Sequence, residues 1–175
     1  MLRQILAMLL LMTSLATAFG IQAESEWLKF TSPKGLFSVM LPREPKLDPE
    51  TAGSTGHQRF NDFEEGYGFV IEYFENVSTS DPEKYLDGTI AAMQNVVKGT
   101  LVEEKKISLD GYSGREVTIS ITAANGTVVF SRTRVYLVGN NLFSISYLWK
   151  KDLDPAIASK IGEKCFSSLK IKPRA

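Results

Sequence analysis

Residues 107–149 constrain this chain more than any other stretch, because their polarity alternates with a period that only strands satisfy. Val117, Ile119 and Ile121 alternate with Thr118, Ser120 and Thr122, and a second alternating run begins after Ala124-Asn125-Gly126. A third run, 142–149, follows Gly139-Asn140-Asn141 and puts Phe143, Ile145, Tyr147 and Trp149 on one side. Period-two alternation of this kind marks half-buried strands, and three such runs in succession predict an antiparallel meander.

Parity predicts the register, since a slip of one residue moves a strand's whole apolar set to the other face. A two-residue Asn125-Gly126 turn would place Ile119 opposite Arg132 and Val117 opposite Arg134. A three-residue Ala124-Asn125-Gly126 loop places Ile121 opposite Val129 and Val117 opposite Thr133, with Gly126 in the left-handed conformation such a loop needs. The same parity at Gly139-Asn140-Asn141 pairs Leu137 with Phe143 and Val135 with Ile145. One face is then expected to be apolar. The other is expected to carry Glu116, Thr118, Ser120, Arg132, Arg134, Tyr136, Ser144 and Ser146, with Glu116 directly opposite Arg134, a favourable cross-strand pair.

The first residues predict export. Arg3 is the one early charge, residues 5–12 hold no polar side chain, and small residues lead to Ala16-Thr17-Ala18 and Ile21-Gln22-Ala23. This is the pattern of a secretory signal peptide, with cleavage expected after Ala23; an uncleaved anchor extending through Phe19 and Ile21 is the other reading. No cysteine follows the apolar stretch to accept a lipid, so no stable membrane anchor is expected. Residues 24–175 then form a single domain, with 19 Lys and Arg against 20 Asp and Glu. A near-zero charge argues against nucleic acid, whose binding needs a basic patch. One cysteine suits a domain large enough to need no disulfide in an oxidising compartment.

In chain order, residues 27–30 and 36–41 flank the turn Ser32-Pro33-Lys34-Gly35, and residues 43–56, with Pro45, Pro49, Gly53 and Gly56, read as an exposed loop. Residues 57–63 and 67–75 form a hairpin around Glu64-Glu65-Gly66. Its second arm is apolar on both sides and so belongs inside the sheet. Ser80-Asp81-Pro82-Glu83 starts a helix over 81–98, either with Ser80 as cap and Glu83 reciprocating or with Asp81 as cap before Pro82; Gly99 is expected to stop it. A strand over 101–108 leads through Asp110-Gly111 into the meander. Asp154-Pro155 opens a second helix with Ile157, Ile161 and Cys165 four apart. The order gives an α+β fold: one central antiparallel β-sheet with two main helices packed on it.

Three stretches carry a resemblance: Phe37-Ser38-Val39-Met40-Leu41-Pro42, Arg134-Val135-Tyr136-Leu137-Val138-Gly139 with its following aromatic strand, and Cys165-Phe166-Ser167-Ser168-Leu169. They are similar to the Mog1/PsbP-like superfamily, which includes exported bacterial proteins of the DcrB kind. The resemblance covers most of the mature chain and implies a central antiparallel sheet between helices. It brings no catalytic residue to carry over.

Counting removes most chemistry. His57 is the single histidine, so a histidine-rich metal site is excluded, and no nucleophile elbow, dinucleotide fingerprint or Walker loop is present. His57 reads as a surface histidine, and Asp62, Glu64 and Glu65 as a solvated hairpin tip rather than a calcium site. Asn76-Val77-Ser78 and Asn125-Gly126-Thr127 match the glycosylation pattern, which matters in a eukaryotic host alone. Cys165 falls on an apolar stripe and has no partner thiol, so it reads as a small hydrophobe. Arg132, Arg134 and Tyr136 are the candidate binding residues, since two guanidinium groups beside hydroxyls can hold a carboxylate or phosphate. Against this stands neutralisation by Glu116 or a covering helix. The expectation is a non-catalytic exported accessory protein that binds a protein or cell-envelope component and carries no cofactor or metal. The alternative is a small-molecule binder or weak hydrolase with a pocket between sheet and helix.

Overall fold

The structure is a computed structural model and describes residues 26–172, so the expected signal peptide and the Glu24 start lie outside the described residues. In chain order the elements are β1 Leu28–Thr31, β2 Phe37–Leu41, β3 Lys46–Leu47, β4 His57–Phe63, β5 Tyr67–Phe74, α1 Pro82–Val97, β6 Thr100–Leu109, β7 Tyr112–Thr122, β8 Val128–Val138, β9 Asn141–Lys150, α2 Pro155–Ser168 and β10 Lys170–Ile171. The strands form two sheets, where one was expected. A seven-stranded antiparallel sheet has the order β3-β4-β5-β9-β8-β7-β6, and β1, β2 and β10 form a small sheet of their own. Part of the expected 43–56 loop is strand β3, and Thr51 within the loop is buried.

The first hairpin of the meander has the register that parity requires. Ile121 faces Val129, Val117 faces Thr133 and Glu116 faces Arg134, with Gly126 at φ +82° in a three-residue loop. The second hairpin differs. Leu137 faces Leu142, Tyr136 faces Phe143 and Arg134 faces Ile145, one residue out of the expected register. The turn is the two-residue Gly139-Asn140 with Gly139 at φ +58°, the glycine-first geometry that matches the twist of paired strands. Directly opposed residues share a face, so this register places Tyr136 with Phe143, Ile145 and Tyr147, and moves Ser144 and Ser146 to the opposite face beside Val135 and Thr133. The expected division into one apolar and one polar face is therefore corrected: both faces of this sheet carry apolar residues, one covered by β2 and α2 and the other covered in part by α1.

One face of the large sheet packs Phe69, Ile71, Tyr73, Phe143, Ile145 and Tyr147 against β2 and α2, through Phe37, Val39, Cys165 and Phe166. The other packs Val117, Ile119, Val135, Leu137 and Leu142 against Leu86 and Ile90 of α1. Asp81 caps α1, its side chain accepting from Lys84 N–H, with Pro82 as the first helical residue. Lys98, at φ 50°, is the left-handed cap at the other end, and Gly99 serves close packing instead: a Cβ there would stand 2.3 Å from Ile119 Cγ2. Asp154 caps α2 by accepting from Ala156 and Ile157 N–H, and the buried stripe is Ala158, Gly162, Cys165 and Phe166, with Ile157 exposed.

Candidate functional site

The expected arginine site is a closed ionic knot under α2. Glu116 lies at its centre with its side chain 2% exposed, and Arg132, Arg134 and Lys105 converge on its two oxygens. Arg132 Nη2 donates at 2.9 Å and Lys105 Nζ stands 2.9 Å away, while Arg134 donates through Nε. From α2, Glu163 accepts from Arg132 Nη1 at 2.6 Å, and the Phe166 ring lies 5.2 Å and 4.6 Å from the two guanidinium carbons. Burial would raise the Glu116 carboxyl, but the hydrogen bonds from Lys105, Arg134 and Arg132 prevail and bring it from 4.5 to about 2. Tyr136 is buried and its hydroxyl is pushed up by that burial. The three candidates are thus together, yet beneath a helix and with their charges opposed, rather than on a solvated face pointing away from the core.

A second arrangement has no counterpart in the site residues expected from sequence. α1 packs over β7 and β8 rather than over the middle of the sheet. Beside it a cleft of about 640 Å³ runs between the helix and the strands from β7 to β4. Four strand spacings make that run about 19 Å. Thr89, Met93, Val96 and Val97 form the helix wall, and Ile119, Ile121, Leu142 and Leu148 form apolar floor. Mid-floor stand Ser131, Thr133 and Ser146, with Thr133 Oγ1 3.3 Å from Ser131 Oγ and 2.8 Å from Ser146 Oγ. Three hydroxyls hold three donors, and two bonds among them leave one for a ligand or water.

The β4 end of the cleft is charged. Arg59 donates from Nε to Glu72 at 2.8 Å and its Nη1 lies 3.5 Å from Asp48, which also accepts from Asn61 at 3.1 Å. The Glu72 hydrogen bond outweighs desolvation and raises the Arg59 pKa, while the backbone hydrogen bond from Glu50 leads the causes that lower Asp48. His57 stacks on Phe74 with ring centroids 4.1 Å apart, and its Nε2 lies 3.3 Å from Glu72.

The helix is held in its offset position by a contact the sequence did not advertise. Arg115, 1% exposed, reaches from β7 to Asp87 at 2.6 Å and Glu83 at 2.9 Å on α1. The expected solvated acidic tip is corrected at Asp62, which is buried and accepts from Arg43 Nε at 2.7 Å; Glu64 and Glu65 are exposed, and Glu64 pairs with the same arginine. Cys165 is fully buried, and desolvation raises its thiol far above the range in which thiolate chemistry operates.

An antiparallel sheet with a helix on each face and a small second sheet beside one of them is the PsbP-like fold, as the resemblance implied. Among solved structures, cyanobacterial PsbP (CyanoP) from Synechocystis sp. PCC 6803 is similar at 12% identity and a TM-score of 0.63, over 87% of this chain and 96% of that one. LpqN, involved in cell envelope biogenesis of Mycobacterium tuberculosis, is similar at 11% identity and a TM-score of 0.57, over 83% of this chain and 90% of that one. A Bacteroides thetaiotaomicron protein is similar at 18% identity and a TM-score of 0.52, over 85% of this chain and 50% of that one. No protein-family model and no curated protein matches the sequence, and the likeness is one of fold.

Proposed function

We propose that this is an exported, non-catalytic accessory protein of the cell envelope and that its ligand site is the cleft beside α1. The observation that carries the reading is the cleft: about 640 Å³, walled by aliphatic side chains and floored by three hydroxyls, within the size range and polarity of small-ligand sites. The signal pattern of residues 1–23 supports export. Among the described residues no helix is long and apolar enough to cross a membrane. The envelope role of LpqN, a protein of similar fold, supports the compartment. A partner acting through Arg132, Arg134 and Tyr136 would have to displace Glu116 and Glu163, so the cleft is the preferred reading.

The test is the fluorescence of N-phenylnaphthylamine, a neutral apolar probe, titrated with protein. Wild type is expected to bind it saturably, and Ser146→Phe, which projects a ring from the floor into the cleft, to lose at least about tenfold in affinity. Equal binding by the two proteins at matched circular dichroism would remove the site from the cleft.

A further inference from the structure

The cleft has two unlike ends, and their difference specifies what it selects. Toward β7 and the end of α1 it is lined by Val96, Val97, Ile119 and Ile121, with no charged side chain among them. Toward β4 it is lined by Asp48, Arg59 and Glu72. Arg59, the one arginine or lysine among the lining residues, already donates to Glu72 and stands beside Asp48, so these three side chains carry one net negative charge, with His57 Nε2 3.3 Å from Glu72 at their margin. Glu72 has its side chain 17% exposed and Asp48 14%, so neither carboxylate is fully hydrated. An anionic head placed there would meet uncompensated negative charge. A head that donates hydrogen bonds would meet carboxylate oxygens, with the remaining hydroxyl proton of the Ser131, Thr133 and Ser146 group available farther along the chain of the ligand.

We infer that the cleft takes a linear amphiphile with its aliphatic tail toward the end of α1 and a hydrogen-bond-donating head, ammonium or hydroxyl, at Asp48 and Glu72, and that it rejects the carboxylate of equal chain length. This rests on the cleft being the ligand site, and it adds polarity and orientation to that reading. It also inverts the expectation drawn from the arginines, which pointed to anions.

The experiment is displacement of N-phenylnaphthylamine from the full-length mature chain by decylamine, decanol and decanoate, each below its micellar concentration. The expected result is displacement by decylamine and decanol at about tenfold or more lower concentration than by decanoate. In Glu72→Gln, which takes the Asp48, Arg59 and Glu72 group from one net negative charge to none, the advantage of decylamine over decanoate is expected to shrink at least severalfold, with decanol, which can still donate to the amide oxygen, changed less than decylamine. Two further results separate the failures. Decanoate equal to or better than decylamine, with the probe bound in a manner sensitive to Ser146→Phe, overturns the head-group selectivity and leaves the cleft as the site. Absence of probe binding, or binding untouched by Ser146→Phe, overturns both.

Discussion

Glu116 shows how one buried carboxylate can decide what two arginines are for. Its folded pKa of about 2 lies below its ordinary 4.5, so the unfolded chain takes up the proton first as pH falls. The stabilisation is fully present above about pH 4.5 and is lost progressively from there down toward pH 2. Urea midpoints measured across that window are expected to fall steeply for wild type and more gently for Glu116→Gln; identical slopes would contradict the assignment. The same geometry reverses what a solvated arginine face would predict for Arg132→Ala plus Arg134→Ala. Removing both arginines leaves Lys105 as the one cation beside a carboxylate that is 2% exposed, which should cost about 3 kcal/mol in chemical denaturation. A double variant as stable as wild type would return these arginines to the surface. In the sequence, Glu116 opposite Arg134 was legible from parity alone. That Glu163 and Phe166 would close over the pair was not, because α2 comes about thirty residues later and nothing local states which face it covers.

Among the elements, α1 matters most for the site because its sideways placement creates the cleft. Leu86, fully buried, and Ile90 seat it on Val117, Ile119, Val135, Leu137 and Leu142, and the Arg115 contact with Asp87 and Glu83 ties its first turns to β7. Leu86→Ala is expected to cost about 2–5 kcal/mol of folding stability, the range for emptying a buried leucine site. A loss below about 1 kcal/mol by urea denaturation would mean the helix is not held this way. Capping chemistry made both helices readable, since Asp81-Pro82 and Asp154-Pro155 satisfy exposed N–H groups locally. The β8–β9 register was not readable, for a physical reason. Parity discriminates registers when one face is buried, and here Val135 and Leu137 go to one core while Tyr136, Phe143 and Ile145 go to the other. With both faces apolar, the turn decides, and Gly139 favours the two-residue form.

At the scale of the whole molecule, the sheet divides two cores of different completeness. The α2 side is closed by a helix and a second sheet, whereas the α1 side has a single helix set to one edge. The meander, the β4–β5 hairpin, the helix positions and the fold class could be anticipated from periodicity and caps, whereas the β5–β9 pairing and the division into two sheets could not. A pocket between sheet and helix was expected only as the alternative, and its lining could not be read, because Ser131, Thr133, Ser146, Glu72 and Arg59 come from four strands and meet through pairings that sequence spacing does not show. The central claim is that this incomplete side is where the protein binds. The most direct measurement is methyl NMR of the mature protein titrated with N-phenylnaphthylamine. The predicted result is saturable shifts at Met93, Val96, Ile119, Ile121 and Leu148, with Val39, Ile145 and Ile171 on the α2 side unmoved. Shifts confined to the α2 side, or none at saturating probe, would contradict it.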